Sequence, residues 1–193
     1  PLSSGAVLSS ATLDRLHAPL LRRDLKIDSA QSCATSNCHG GPRPGVAQPW
    51  ARRGAAYQLW KENDPHARSW RTICSDESVQ IMQRLKIMDG NQIVDQVGFD
   101  NCLACHNSAQ RYNEPRTHVA IREGVGCTAC HGPSERWIHN HFQYHWSPHS
   151  ATQDGFVNAG DLYARARMCA SCHVGDKDRD MNHDIIAAGH PTL

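Results

Sequence analysis

Apolar residues fall in short runs along this chain, separated by stretches rich in turn-forming residues. In "ATLDRLHAPLLRRDL", Leu13, Leu16 and Leu20 share one face of a predicted short helix. In "NDPHARSW", Asp64 can cap a helix whose first turn accommodates Pro65. "WRTICSDESVQIMQRLKIM" predicts another helix, with Val79, Met82 and Leu85 facing inward and Cys74 as a small buried apolar residue just before it. "HGGPRPGVAQP" reads as a loop, and "MDGNQIVDQVGFD" as a weak hairpin or loop. "DLYARARMCASCH" predicts a helix capped by Asp161, while "GVGC" and "HGP" mark tight backbone. Neither turn-rich stretch is a domain boundary. Residues 1–193 are therefore expected to form one domain, with residues 1–30 as an N-terminal extension.

The composition changes what this pattern means. Only 39% of residues are hydrophobic and 6% aromatic, and the mean hydropathy is −0.57, less apolar material than a domain of this size ordinarily buries. Something besides side chains must fill the middle. Twenty Lys and Arg against 19 Asp and Glu give no electrostatic case for nucleic acid or for an anionic membrane surface. No stretch approaches the roughly 18 apolar residues of a membrane span. "PLSSGAVLSSATLDRLHAPLL" lacks the charged start and apolar run of a secretion signal, as expected of a mature or trimmed chain. Nine cysteines and 13 histidines, the residue types that supply most soft and borderline metal ligands, point to a cofactor.

Those residues recur in one pattern. Cys-x-x-Cys-His occurs at Cys102, Cys105 and His106, at Cys127, Cys130 and His131, and at Cys169, Cys172 and His173. At the observed frequencies chance would supply roughly 0.03 copies per chain, so composition does not explain three. The spacing suits covalent attachment of a c-type haem, in which two thiols add to the two vinyl groups and the next residue sets an imidazole under the iron. "CATSNCHGG" is a fourth copy, with four residues between Cys33 and Cys38 and His39 following; two extra residues can bulge outward without moving either sulfur. Eight of nine cysteines then serve four haems, leaving Cys74. Zinc also takes such cysteine pairs, but it gives no reason for a histidine after every second cysteine.

With His39, His106, His131 and His173 as proximal ligands, nine histidines remain for four sixth positions. His66 would project from a helix start. His141 follows His131 by ten residues, and His183 follows His173 by the same interval, so each is placed to reach a neighbouring haem. His17, His145 and His149 read as surface residues, His139 as a hydrogen-bond donor to a propionate, and Met168 and Met181 as core gap-fillers.

"AAYQLWKENDPHARSW", "GVGCTACHGPSERWIHNH" and "CASCHVGDKDRDMNHDIIAAGHP" resemble the tetrahaem cytochrome c-554/c-prime family, over most of residues 31–191. The resemblance implies a mainly α, loop-rich fold around haems stacked in two pairs, the first with the third and the second with the fourth. It further implies that His141 ligates the first haem and His66 the third, with His183 or His190 serving the second and fourth. The ten-residue offset favours His183 on the second haem and leaves His190 for the fourth, with His118 as the alternate for either. In the family's best-known type the second haem is five-coordinate, whereas the spare histidines around "MNHDIIAAGHP" favour two axial ligands here as well.

The function expected is electron transfer through four covalently bound haems c, mostly or entirely bis-histidine ligated, between redox partner proteins. No Cys-x-x-Cys-Lys motif suggests a nitrite-reductase-like enzyme. An enzyme or enzyme subunit with one open iron, at His106, acting on a small nitrogen species is the alternative. A conducting filament, with an axial histidine such as His17 donated by the next subunit, is a third, so an oligomer remains open. Haem attachment implies a periplasmic or otherwise extracytoplasmic location. A ligand three residues from the end leads us to expect a truncated C-terminus.

Overall fold

The computed structural model describes residues 24–41, 54–112, 122–176 and 179–191. The described chain is mainly helical and built of short pieces: α1 (Ala56–Asn63), α2 (Ser69–Ile73), α3 (Asp76–Arg84), α4 (Gln96–His106), α5 (Ser108–Arg111), α6 (Cys127–His131), α7 (Leu162–His173) and α8 (His183–Ala187). Single 3-10 turns lie at Ala30–Cys33, Pro65–Arg68 and Ser150–Asp154. Two antiparallel hairpins of two-residue strands complete it, β1 (Met88–Asp89) with β2 (Gln92–Ile93) and β3 (Gly175–Asp176) with β4 (Arg179–Asp180). The predicted N-terminal helix and most of "HGGPRPGVAQP" lie outside the described residues.

Side-chain caps start these helices. Asp161 accepts from the backbone N–H groups of Tyr163 and Ala164 at the head of α7, and Asp64 accepts from that of His66 at 3.0 Å, as the sequence predicts. The latter segment forms one 3-10 turn before entering α2. The hairpin at Met88–Ile93 also forms. The residues after it do not continue as loop: Asp95 accepts from Gly98 N–H at 3.0 Å and opens α4, so "QVGFD" is helical. A local cap thus outweighs the weak propensity of that stretch. In α3 the buried residues are Ile81 and Met82, with Val79 and Leu85 half-buried. Cys74 is exposed. It ends α2, and the neighbouring Ile73 takes the inward position there.

The polypeptide core is thin. The largest fully buried side chains among the described residues are Leu103, Pro133 and Ser134, and Ala30, Ala55, Ala109, Ala129, Ala151 and Ala188 are among the other buried apolar residues. Backbone-level contacts compensate. Lys26 N–H donates to Glu135 Oε2 at 3.0 Å, Asp28 N–H to Ser134 Oγ at 2.8 Å and Ala30 N–H to Glu123 Oε2 at 3.0 Å, tying residues 26–30 to both sides of α6.

Gly132, just after α6, has φ +81°, and a Cβ there would stand 2.1 Å from the carbonyl oxygen of Gly155. Two backbones touch at that point, which explains the tight "HGP". Gly132→Ala is expected to cost about 2 kcal/mol or more, combining a disfavoured φ with overpacking. Gly160→Ala, whose nearest obstacle is the movable Asn158 side chain, should stay within about 0.5 kcal/mol. Guanidinium denaturation followed by circular dichroism measures both; equal effects would refute the backbone-clash account.

Candidate cofactor site

The four Cys-His motifs are carried differently. The second closes α4, the third forms all of α6, and the fourth occupies the last turns of α7. The first folds as turns. Cys38 N–H and Gly40 N–H both donate to Thr35 O, and His39 N–H donates to Cys33 O at 3.2 Å. An α-helix joins the histidine N–H of a five-residue motif to the first cysteine's carbonyl through its ordinary i→i−4 bond. Here the same two groups meet across the two-residue insertion, so the longer motif keeps the geometry of the shorter ones. A Cβ on Gly40 would fall 1.8 Å from Ala34 O, so only glycine closes this turn.

The motifs then meet in pairs. The Cys33 thiol hydrogen-bonds with that of Cys127, and Cys105 with Cys172. As free thiols the members of each pair divide in character. The hydrogen bond from Cys105 lowers the Cys172 pKa to about 5, with help from Arg111 and Arg179 and against burial, while the same bond and burial push Cys105 upward. First and third motifs are neighbours, as are second and fourth.

Three pairs of imidazoles face each other at nearly one separation. Ring centroids stand 6.0 Å apart for His39 and His141, 6.0 Å for His66 and His173, and 6.1 Å for His106 and His190. A metal–nitrogen bond of about 2 Å on each side, plus about 1 Å from nitrogen to ring centre, gives roughly 6 Å between two axial imidazoles. Each pair has the separation that two axial imidazoles on one metal would have. Among the described residues no three His, Cys, Asp or Glu side chains converge, as a protein-only zinc site would require.

Hydrogen bonds aim these rings. His106 Nδ1 lies 3.4 Å from Ser69 O, His141 Nδ1 2.6 Å from Ile138 O and His190 Nδ1 3.0 Å from Pro191 O, whereas His66 Nδ1 lies 2.8 Å from the Asp64 carboxylate. Burial pushes the pKa of His106 down, opposed by the Ser69 carbonyl, and that of His131 down, opposed by the Val157 backbone. Both imidazoles are held neutral, the form that binds metal.

The pairing differs from the sequence expectation at two places. His66 faces His173 rather than His131; the Ser69 hydroxyl, within hydrogen-bond reach of both His66 O (2.8 Å) and His106 O (2.9 Å), anchors that turn to the second motif. His190, not His183, faces His106. Gly189 at φ +105° ends α8 in a Schellman motif, with His190 N–H donating to Ile185 O and Gly189 N–H to Ile186 O, and Arg84 Nη1 holds Ala188 O at 2.7 Å. His183 stays exposed at the head of α8. The Gly-His-Pro signal of a C-cap was present in the sequence and pointed to His190. His131 stacks on Phe156 at 5.7 Å, and among the described residues no histidine ring pairs with it. His118 and His17 lie outside the described residues.

The surroundings fit a large group with acidic substituents. A cavity of about 530 Å³ is lined by Cys102, Cys105, His106 and His190, with Ile81 and Met82 as apolar wall. Trp137 and Trp146 flank His141 at 5.5 and 6.3 Å, and their buried indole N–H groups have no acceptor among the described residues. Buried donors without acceptors are costly, and a haem propionate placed there would satisfy them.

The model of the family described as cytochrome c554 and c-prime matches residues 32–132, just over half the chain. The chain belongs to that family. The match takes in the first three motifs and stops before the fourth. No curated protein and no solved structure matched. Membership in the cytochrome c554 and c-prime family brings covalently bound haem c and electron transfer by a c-type cytochrome. Among the described residues no helix is long and apolar enough to cross a membrane.

Ser69 also accepts from Val125 N–H at 2.9 Å, and a Cβ on Gly124 would lie 2.5 Å from its Oγ. Its hydroxyl thus joins the His66 turn to the segments of the second and third motifs. Ser69→Ala is expected to destabilise the holoprotein by about 1–3 kcal/mol, the cost of stranding part-buried partners; an unchanged denaturation midpoint would show that the hydroxyl joins nothing of consequence.

Proposed function

We propose that this chain is an electron carrier holding four haems c in one domain, attached through Cys33 and Cys38, Cys102 and Cys105, Cys127 and Cys130, and Cys169 and Cys172. His39, His106, His131 and His173 are the proximal ligands. His141, His190 and His66 serve as distal ligands of the first, second and fourth haems, and His118 is the candidate for the third. The observation that carries this reading is the repeated 6 Å spacing of facing imidazoles. When bound, the haems supply reversible one-electron chemistry at closely spaced irons. The chain's own part is to attach, aim and space them, and the contacts Cys33–Cys127 and Cys105–Cys172 support two stacked pairs.

An enzyme of this family would need an open iron. At His106, where the sequence alternative placed it, His190 supports a sixth ligand, so a catalytic role would fall to the haem of His131. We further propose an extracytoplasmic location and redox proteins as donor and acceptor.

Low-temperature electron paramagnetic resonance of the oxidised holoprotein, normalised to total haem, tests the ligation. Nearly parallel imidazole planes, 17° for His39 and His141, split the iron dπ orbitals and give a rhombic low-spin signal, whereas planes at 75° and 89° leave them nearly degenerate and strongly anisotropic. His190→Ala is expected to convert about one quarter of the haem to high spin and His183→Ala none; the reverse result would restore the sequence-based pairing.

Asp64 adds a second readout. A carboxylate behind the His66 Nδ1–H strengthens the ring as a donor and favours ferric iron. Asp64→Asn should raise one of four midpoint potentials by tens of millivolts, about 59 mV being a tenfold one-electron change. Spectropotentiometry in which all four midpoints coincide with wild type would discard the carboxylate's role.

A further inference from the structure

Two guanidinium groups are buried where the second and fourth motifs meet. Arg111, at the end of α5, is 4% exposed, and Arg179, in β4, is 5% exposed. Arg179 is compensated: its Nη2 pairs with the Asp176 carboxylate. Arg111 is not. Its Nη1 lies 2.7 Å from Cys172 Sγ, its Nη2 lies 2.8 Å from Met168 Sδ and 2.9 Å from Ser171 Oγ, and its Nε has no partner among the described residues. All three contacts are with α7, and among the described residues no carboxylate meets this cation. Burying an uncompensated charge is expensive, and mutational stability alone gives no reason to keep one.

We propose that Arg111 is a tuning residue that raises the reduction potential of the haem attached through Cys169 and Cys172, making it the preferred seat for an electron in the second and fourth pair. The proposal rests on the four-haem reading above. Reduction adds one electron to the haem and moves its net charge one unit negative. A fixed cation at its thioether edge therefore stabilises the reduced state over the oxidised one, and low local dielectric keeps the interaction strong. On Cys105 the charge of Arg111 acts less than that of Arg179, so the second haem should respond less to Arg111. The Asp64 carboxylate acts oppositely on this haem, from the far axial side, but it is about half exposed and more heavily screened.

The test uses holoprotein carrying Arg111→Gln, Arg111→Lys or Ser171→Asp, the last setting a carboxylate beside the intact guanidinium. Pyridine haemochrome assay and electron paramagnetic resonance first establish four haems and the anisotropic signal that His66→Ala removes. Wild type lacking either would defeat the underlying reading rather than this inference. Redox titration of that signal then decides. Arg111→Gln and Ser171→Asp should shift its midpoint downward, changing the haem's reduction equilibrium about tenfold for a unit charge at an effective dielectric constant near 20, while Arg111→Lys stays near wild type. A midpoint unmoved by both neutralising variants, or moved as far by the lysine as by the glutamine, overturns the proposal. The two neutralising variants act through different elements, so loss of one to misfolding leaves the other decisive.

Discussion

Facing imidazoles held about 6 Å apart are the constraint around which this chain is organised. Left to itself, a polypeptide closes such a gap, since apolar side chains gain by filling space and voids forfeit contacts. Here the chain has little with which to close it, because its fully buried side chains are few and small. The rings are kept at distance by directional bonds: the Asp64 cap, the Ser69 hydroxyl between His66 and His106, and the Schellman turn presenting His190. Such bonds contribute about 1 kcal/mol each, so the scaffold depends on what occupies the gaps for most of its burial.

The same economy explains the charges. Where side chains are scarce, a single buried ion is screened by few neighbours and acts over several ångströms. Arg179 is matched by Asp176 and contributes a local dipole, whereas Arg111 contributes a net charge. Asp64, on the opposite side of the His66 and His173 pair, contributes one of the other sign near solvent. On the four-haem reading proposed above, neighbouring haems of like ligation would thus differ in potential through the protein around them.

How much of this was legible follows from the range of each interaction. The attachment motifs are local in sequence, and even the longer first copy is closed by turns within a few residues, so the pattern alone is enough to read them. The Asp161 and Asp64 caps and the Met88–Ile93 hairpin are equally local. The distal histidines depend on contacts between distant segments. The ten-residue interval suggested His183, yet α8 is positioned by Arg84 on α3, and only then does its C-cap bring His190 to His106. His66 was read as a ligand from its helix start, but the ring it faces follows from contacts between distant segments, which no spacing encodes. Cys74 was misplaced for a smaller reason: a short helix has room for one inward residue at its end, and the larger Ile73 takes it.

That division between local and distant contacts bears on assembly. His39 faces His141, His66 faces His173 and His106 faces His190, so each facing pair joins residues on the order of a hundred positions apart, and the loops interleave. Bringing such distant residues together before any local gain is slow and entropically costly. A thiol pair and its following histidine, by contrast, are assembled by a single turn of backbone. Attachment at the motifs can therefore precede the global fold. On the reading proposed above, each haem so attached would present an apolar surface on which the distal segment collapses, replacing a search for a single imidazole by burial over a large plane. A chain with a thin core and interleaved ligands is foldable on those terms because its largest apolar bodies are joined to it before its longest loops have to close.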